Sequence, residues 1–347
     1  MPKSNQTKKK INLALQGGGA HGAFTWGVLD FLLEDPRLEI SGISGTSAGA
    51  LNGAALKSGL VLGGPDAAKA KLDRLWEDIG AVQSDAIPAW MDGLAPEIFS
   101  KSLELSPGYM ALDMMSRLAS PYQFAALLPH PLEKIVKDFN YDRICANEGP
   151  GLFICATNVR SGKIRIFDGD EISTEAILAS GCLPTLFKAV EIYDKDTKRV
   201  EAYWDGGYMG NPALFPLFPN DTRDIVIVNI NPLHREEIPK TPQEIQNRIN
   251  EISFNGSMFR ELRAIQFVRD LLSDGSIKQG SMEDVLIHMI SDDNLMRQLS
   301  VATKTVPTAF VLNELKTAGR LAAERFLEAH FDDLNTDSSV NLRDMFS

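Results

Sequence analysis

Cysteine is scarce in this 347-residue chain, and long apolar runs and an excess of basic residues are absent. The three cysteines, Cys145, Cys155 and Cys182, are odd in number and have no C-x-x-C spacing. The sequence therefore predicts neither a disulfide framework nor a zinc site, and it fits the reducing environment of the cytoplasm. No segment reaches the roughly 18 to 20 continuous apolar residues that a membrane span requires, so we do not expect an integral membrane protein.

The overall charge and the N-terminal segment exclude further classes. The formal net charge is −11, and a chain without an extended basic stripe is not expected to bind nucleic acid. The local basic run, Lys3 together with Lys8 to Lys10, predicts a flexible tail over residues 1–9 that could touch an anionic membrane transiently. The apolar run from Ile11 to Leu15 is too short for a signal peptide, so we interpret it as the first core strand.

A G-x-S-x-G motif at Gly45 to Gly49 is the most informative feature that is present. It follows an apolar-leaning stretch and precedes the helix-like sequence from Ala50 to Leu56. A sharp turn between a strand and a helix can expose a serine hydroxyl at the carboxyl end of the strand. The two glycines let the backbone turn tightly and let neighbouring elements approach. Ser47 is therefore a candidate nucleophile.

A glycine-rich loop, Gly17 to Gly22, lies between a strand-like run and a helix-like segment that begins at Ala23. The backbone N–H groups of such a loop, with the helix dipole behind them, favour an anion, either a phosphate or a developing oxyanion. The loop also fits G-x-G-x-x-G, and Glu39 lies near the position of the acidic residue in dinucleotide sites. The dinucleotide pattern does not include a second turn that carries a serine. Acyl transfer, in contrast, needs both a nucleophile and an oxyanion hole. An acyl hydrolase therefore explains more of these residues.

A third motif, Asp205-Gly206-Gly207, follows a strand-like segment far downstream. An Asp-Gly pair is most often an ordinary turn. Beside a serine nucleophile, however, a carboxylate within hydrogen-bond reach can accept the serine proton directly, without an imidazole between them. Asp205 is therefore the candidate base, and the two glycines after it are expected to leave space for a substrate.

In their order and wide separation, these three motifs resemble those of the patatin-like phospholipases. The likeness extends over about residues 10–235 and includes Ala179 to Pro184, which is similar to the small-residue and proline segment of that family. The resemblance implies a three-layer α/β/α fold and a dyad of Ser47 and Asp205 that cleaves acyl esters of lipids without a metal or another cofactor. The resemblance also implies an oxyanion hole formed by Gly17, Gly18, Gly19 and Ala48. The remaining motif positions that it implies are His21, Gly22, Gly45, Gly49, Gly206 and Gly207.

The histidines leave one question open. That question is whether His21 can replace the arginine or lysine that the family loop usually carries, because histidine is only partly charged near neutral pH. The other four, His130, His234, His288 and His330, fall in predicted loops or helices. We expect surface or packing roles for them and a dyad rather than a triad.

The sequence also predicts the domain organisation. We expect a catalytic domain at residues 10–235, a helical insertion or cap within it at 60–140, a C-terminal helical extension at 241–331 and a flexible tail at 332–347. After the insertion, the patterns predict a buried strand at 152–157, an edge strand at 163–167, a hairpin at 191–203 and a last strand at 225–230. Core packing is favoured over an acyl-chain groove for the apolar cluster of the insertion, Trp90, Met91, Leu94, Phe99, Met110, Met114 and Met115.

Together these features predict a cytoplasmic serine acyl hydrolase with phospholipids as the first choice of substrate. Lysophospholipids, neutral glycerides, short-chain esters or a storage polyester would use the same chemistry. A non-catalytic module whose glycine loop binds phosphate or a nucleotide is the alternative from another class. The expected partners are a lipid substrate and, transiently, a membrane surface, and the sequence leaves the oligomeric state open.

Overall fold

The structure is a computed structural model that describes residues 8–81, 95–124 and 130–346. Its strands are β1 (Lys9–Leu15), β2 (Leu38–Gly45), β3 (Gly151–Asn158), β4 (Ile164–Asp168), β5 (Val190–Asp194), β6 (Arg199–Asp205), β7 (Asp224–Asn229) and β8 (Leu286–Ser291). They form one eight-stranded sheet in the order β5-β6-β3-β2-β1-β7-β8, with β4 also paired to β3. The five strands from β3 to β8 in that order are parallel, and the pairings β3-β4, β3-β6 and β5-β6 are antiparallel.

Helices cover both faces of the sheet. They are α1 (Gly22–Leu32), α2 (Ala48–Ala81), α3 (Pro96–Glu104), α4 (Pro107–Leu118), α5 (Pro121–Phe124), α6 (Glu133–Lys137), α7 (Tyr141–Ile144), α8 (Thr174–Ser180), α9 (Pro242–Ser273), α10 (Asp293–Gln298), α11 (Val301–Thr305), α12 (Ala309–His330) and α13 (Leu342–Met345). In the described part of the chain, none of these helices has the length and apolar character needed to cross a bilayer.

Alternation along the central strands explains the three layers. In β7, Val226 and Val228 join a core formed with α1, α2 and α12, whereas Ile225 and Ile227 join a second core formed with α9. Because successive side chains of a strand point to opposite faces, a continuous apolar run is covered on both sides. The predicted three-layer α/β/α fold is therefore confirmed.

The pairing of β3 brings two strand ends face to face. Along one side of β3 runs β4, so β2 and β6 share the other side. The strand β2 runs parallel to β3 and ends at Gly45 opposite Ile154, whereas β6 runs antiparallel and ends at Asp205 opposite Ala156. The carboxyl ends of β2 and β6 therefore meet beside β3. This arrangement brings the G-x-S-x-G turn and Asp205 to one place.

Both termini differ from the sequence-based expectation. Lys9 belongs to β1 rather than to the tail predicted over residues 1–9, and its ammonium donates to the carbonyls of Phe331 and Leu334 at 2.9 and 2.8 Å. The segment predicted as a flexible tail from residue 332 onward buries Leu334 and Leu342 and includes α13. These apolar side chains pack beside the sheet. The polar composition of the surrounding sequence did not indicate that the segment would be ordered.

The segment predicted as a helical extension is an integral part of the sheet and its layers. It contains β8, which pairs in parallel with β7 and extends the sheet beyond its expected last strand. Helix α12 lies so close to α1 that a side chain at Gly319 would clash with the carbonyl of Phe24. The strand was missed because its apolar run is short and lies between segments of helical character.

The predicted insertion is smaller than expected. Residues 60–81 continue α2, which is kinked at Gly63 and Gly64 and packs Leu72 and Trp76 into the core. Core packing is confirmed for Phe99, which is fully buried, and is wrong for Met110 and Met114, which are exposed. Trp90, Met91, Leu94 and the side chain of Met115 lie outside the described residues. The remaining domain boundaries stay predictions.

Candidate active site

The nucleophile turn has the geometry that its sequence predicts. Ser47 follows β2 and precedes α2, and its φ of 53° lies in the left-handed region that a non-glycine residue rarely adopts. Such strain is typical of a serine held on a sharp strand-to-helix turn. Gly49 permits close packing here, because a side chain at that position would clash with the carbonyl of Leu15. The Ser47 N–H donates to Ser180 Oγ at 2.8 Å, and Ser47 itself is half-buried and accessible.

The glycine-rich loop lies directly against this turn. A Cβ on Gly17 would come within 2.7 Å of the Thr46 carbonyl oxygen and 2.8 Å of Ser47 Cβ. Among the described residues, the N–H groups of Gly18 and Gly19 have no hydrogen-bond partner. Ala48 is the first residue of α2, so its N–H has no acceptor within the helix. These three donors can therefore turn to an anion next to Ser47.

Gly17 does not belong to the oxyanion hole as predicted. Its N–H donates to Asn211 Oδ1 at 2.6 Å, so this donor is already used and cannot also stabilise an oxyanion. Gly17 has a different function, which is to let the loop pass the nucleophile turn without a side chain. The expectation failed because the sequence gives no indication that a distant asparagine occupies this N–H group.

Asp205 lies next to Ser47 and is buried. Its side chain is 2% exposed and accepts a hydrogen bond from the Gly207 N–H at 2.7 Å. Burial raises the pKa of Asp205 to about 7, although hydrogen bonds from the Gly207 N–H and the Ser47 hydroxyl act in the opposite direction. The glycines after it are needed for space, because a side chain at Gly206 would clash with the carbonyl of Cys155. A buried carboxylate with this pKa is suited to accept a proton near neutral pH.

His21 is buried in the loop as a neutral ring. Its Nε2 lies 2.8 Å from Thr303 Oγ1, and that hydroxyl donates to the Ser300 carbonyl, so the ring donates and its proton is on Nε2. Desolvation, followed by the positive charge of Lys304, lowers the pKa of His21 well below its ordinary value. His21 therefore supplies no positive charge to the loop near neutral pH.

The other histidines lie elsewhere, and in the described ranges none of the five hydrogen-bonds Ser47 or Asp205. His130 stacks on Phe187 with ring centroids 4.1 Å apart, and burial lowers the pKa of His130 to about 4. The remaining three each contact a carboxylate, in the pairs His234–Glu236, His288–Asp224 and His330–Asp333. This arrangement agrees with packing and surface roles.

A network of buried amide side chains supports the loop, and it was not predicted. Gln16 Oε1 accepts from the N–H groups of Ile230 and Asn231 at 2.9 and 3.1 Å, and Gln16 Nε2 donates to Asn255 Oδ1 at 3.2 Å. Asn231 Nδ2 donates to the Gly17 carbonyl at 2.9 Å. One signal was available, because Gln16 and Asn231 come directly after buried strands, where polar side chains meet at a common edge.

No metal centre is found within residues 8–81, 95–124 and 130–346, because no group of three or more His, Cys, Asp or Glu side chains there could hold an ion. The three cysteines are free thiols. The groups that the structure brings together at the candidate site are a hydroxyl, a carboxyl group and main-chain donors.

A comparison with protein families agrees with the motifs. A family model described as patatin-like phospholipase matches residues 13–218, more than half of the chain. No curated protein matches by sequence. Among solved structures, VipD from Legionella pneumophila is 15% identical with a TM-score of 0.44, and the match covers 93% of this chain and 67% of that one. The ExoU-SpcU complex from the type III secretion system of Pseudomonas aeruginosa is 16% identical with a TM-score of 0.28, covering 98% and 74%.

Proposed function

Because the chain belongs to the patatin-like phospholipase family, a family of lipid acyl hydrolases, we propose that it cleaves carboxylic ester bonds of lipids through Ser47 and Asp205. One observation carries the proposal. The Ser47 hydroxyl lies close enough to the buried Asp205 carboxyl group to lower its pKa, which burial nevertheless raises to about 7, and three main-chain donors that are free in the described structure lie beside this pair. A nucleophile, a base and an oxyanion hole are the components that acyl transfer requires.

The first half of the reaction forms an acyl-enzyme. Ionised Asp205 accepts the proton of the Ser47 hydroxyl as the serine oxygen attacks the ester carbonyl carbon. The carbonyl oxygen becomes an oxyanion, and the N–H groups of Gly18, Gly19 and Ala48 stabilise it. When the intermediate collapses, the C–O bond to the leaving alcohol breaks, and Asp205 returns the proton to that alcohol.

Water completes the cycle by the same steps. Asp205 accepts a proton from a water molecule that attacks the acyl carbon, and the proton passes to Ser47 as the fatty acid leaves. This scheme uses no histidine, because the carboxyl group itself lies beside the serine hydroxyl. The strained backbone of Ser47 keeps its hydroxyl at the end of the strand, which lowers the entropic cost of reaching the reactive geometry.

Phospholipids are the proposed substrates, cleaved in the manner of a phospholipase A or a lysophospholipase. Aromatic side chains lie beside the base, where Tyr208 and Phe254 pack edge to face with centroids 5.4 Å apart, and such surfaces suit an apolar chain. Other acyl esters, including neutral glycerides and storage polyesters, present the same reactive carbonyl. Transient contact with a membrane surface and a cytoplasmic location are part of the same proposal.

A fluorophosphonate probe tests the proposal, because it labels an activated serine and not a loop that merely binds phosphate. We expect stoichiometric labelling of the wild type, release of fatty acid from phospholipid vesicles, and loss of both in Ser47→Ala. Ser339→Ala is the matched control, because Ser339 is another serine whose hydroxyl lies near an ionisable side chain, 3.2 Å from His288 Nδ1. An unlabelled and inactive wild type would instead favour the phosphate-binding alternative.

A further inference from the structure

Helix α11 contacts the glycine loop at two successive residues, and both lie well beyond the matched segment 13–218. Thr303 fixes the His21 ring through its hydroxyl. The carbonyl of Lys304 packs against Gly19 so closely that a side chain at Gly19 would clash with it. Gly19 also has a φ of 59°, in the left-handed region that favours glycine. The backbone of the loop is therefore shaped in part by α11.

The ammonium group of Lys304 is linked to the loop by a chain of hydrogen bonds. Lys304 Nζ donates to Asn231 Oδ1 at 2.8 Å, and Asn231 Nδ2 donates to the Gly17 carbonyl at 2.9 Å. That carbonyl belongs to the same peptide unit as the N–H of Gly18, which has no partner among the described residues. Each hydrogen bond in such a chain polarises the next, so a cation at one end makes the N–H at the other end a stronger donor.

The charge of Lys304 is not cancelled by an adjacent carboxylate. In the described ranges, no carboxylate forms a salt bridge with its ammonium group. Glu251 on α9, whose charge raises the pKa of Lys304, is bound by Arg235 at 2.6 Å and by Arg248 at 3.1 Å. His21, on the loop side, is neutral. The ammonium charge therefore remains available to the Asn231 amide.

We propose that Lys304 is a positioning residue for the proposed acyl transfer, and that it acts through Asn231 to fix the Gly17–Gly18 peptide and to strengthen the Gly18 N–H as an oxyanion donor. The inference rests on the proposed function of Ser47 and Asp205. It deepens that function, because it assigns part of the oxyanion stabilisation to a residue from the C-terminal part of the chain. The effect belongs to the transition state, since the substrate carbonyl carries little charge before attack.

The proposal makes hydrolysis sensitive to alkaline pH. Burial, together with the charge of Arg235, lowers the pKa of Lys304 to about 8, while Glu251 raises it. A lysine loses its charge as pH rises through its pKa, so the polarising effect disappears on the alkaline side. Ionisation of Asp205 governs the acidic side. Hydrolysis by the wild type is therefore expected to follow a bell-shaped pH profile.

The test compares Lys304→Met with Lys304→Arg and with Lys278→Met, a control at an exposed lysine. For each variant, kcat and KM on a soluble ester are measured from pH 5.5 to 10, together with the rate of fluorophosphonate labelling and the melting temperature. For Lys304→Met we expect kcat to fall roughly tenfold to a hundredfold, KM to stay within about twofold, and the alkaline limb to vanish. Lys304→Arg is expected to recover activity and to shift the alkaline limb beyond the measured range.

Two outcomes would overturn the inference while the proposed function stands. In the first, Lys304→Met keeps the wild-type kcat and the alkaline limb of the pH profile. In the second, Lys304→Met and Lys304→Arg lose activity equally and their melting temperatures fall together, which would indicate that Lys304 contributes only to packing. If Lys304→Met fails to fold, Lys304→Gln replaces it. A wild type that is neither labelled nor active would reject the proposed function itself, and the role of Lys304 with it.

Discussion

Two buried aspartates of the same sheet have pKa values shifted in opposite directions. Asp205 ends β6 beside the carboxyl end of β2, whereas Asp224 begins β7 at the opposite end of the parallel strands. Burial raises the pKa of Asp205 to about 7. Burial opposes ionisation of Asp224 as well, but hydrogen bonds from His288 and Asn335 hold its pKa below the ordinary range.

The difference lies in the number of donors. Asp205 accepts from the Gly207 N–H and the Ser47 hydroxyl. Asp224 accepts from His288 Nε2 at 2.9 Å and from the Asn335 N–H and side-chain amide at 2.7 and 2.8 Å. A buried carboxylate with few donors is basic, and one with many is a stable anion. We call Asp224, His288, Asn335 and Ser339 the Asp224 cluster.

The Asp224 cluster places a serine, a histidine and an aspartate in hydrogen-bonded order without the other features of the Ser47 site. Ser339 Oγ lies 3.2 Å from His288 Nδ1, and His288 Nε2 lies 2.9 Å from Asp224. Unlike Ser47, Ser339 does not have a positive φ, and no glycine-rich loop lies beside it in the sequence. The cluster instead ties the C-terminal segment to the sheet through Asn335.

The largest contrast is expected from replacing each aspartate by its isosteric amide. Asp205→Asn removes the proposed base, so hydrolysis should fall about a thousandfold while the fold is kept. Asp224→Asn should leave hydrolysis within about twofold and lower the free energy of unfolding by about 1 to 3 kcal/mol, because the amide NH2 would face the buried donors of His288 and Asn335 that the carboxylate accepts from. Initial rates on phospholipid vesicles and urea unfolding measure the two effects. Equal loss of activity in both variants would contradict the distinction between base and anchor.

The two aspartates should also respond to pH in different windows. Folded Asp205 has a pKa of about 7 against an ordinary value of 3.8, so its burial penalty is absent below about pH 4 and complete above about pH 7. This difference corresponds to at most about 4 kcal/mol. Asp224 contributes stability above its unfolded pKa that is lost as pH falls through its lowered folded value.

Unfolding free energies measured between pH 3 and 9 separate these contributions. Asp205→Asn should become more stable than the wild type as pH rises from 4 to 7, and Asp224→Asn should become relatively less stable as pH rises from about 3 to 4. Wild-type hydrolysis should fall about tenfold per pH unit below pH 7, because Asp205 must be ionised to accept the proton. A rate that is independent of pH between 5 and 7 would argue against Asp205 as the base.

The sequence predicted what local pattern encodes, and missed what depends on distant side chains. The turn at Ser47 and the strand before Asp205 are visible because glycines and apolar runs mark them. The use of the Gly17 N–H by Asn211 and the link from Lys304 to Asn231 join residues that are far apart in sequence. The short strand β8 was missed because its apolar run is compatible with either helix or strand. Pairing with β7 decides its structure.

A smaller effect is expected from adding one methyl group to a glycine at the site. Gly17→Ala should displace the nucleophile turn, because its Cβ would lie 2.7 Å from the Thr46 carbonyl oxygen, and we expect hydrolysis to fall by roughly a hundredfold with a stability loss of about 1 to 3 kcal/mol. Gly256→Ala is the matched control on α9, where a Cβ has open space. It should leave kcat unchanged and stabilise the helix by about 1 kcal/mol. Unaltered hydrolysis by Gly17→Ala would show that the turn can move without cost.

The smallest contrast concerns the hydroxyl next to each buried histidine. Thr303→Val is nearly isosteric, and it leaves the Nε2–H of His21 without an acceptor in a ring whose Nδ1 already has no partner among the described residues. We expect a cost of about 1 to 3 kcal/mol and a few-fold loss of hydrolysis. Ser339→Ala should cost less than about 1 kcal/mol, because Ser339 is only half-buried and water can replace its hydroxyl at His288. Thermal unfolding compares the two variants. A larger loss of stability in Ser339→Ala than in Thr303→Val would contradict this expectation. It would mean that the Ser339 hydroxyl, and not only the donors to Asp224, stabilises the Asp224 cluster.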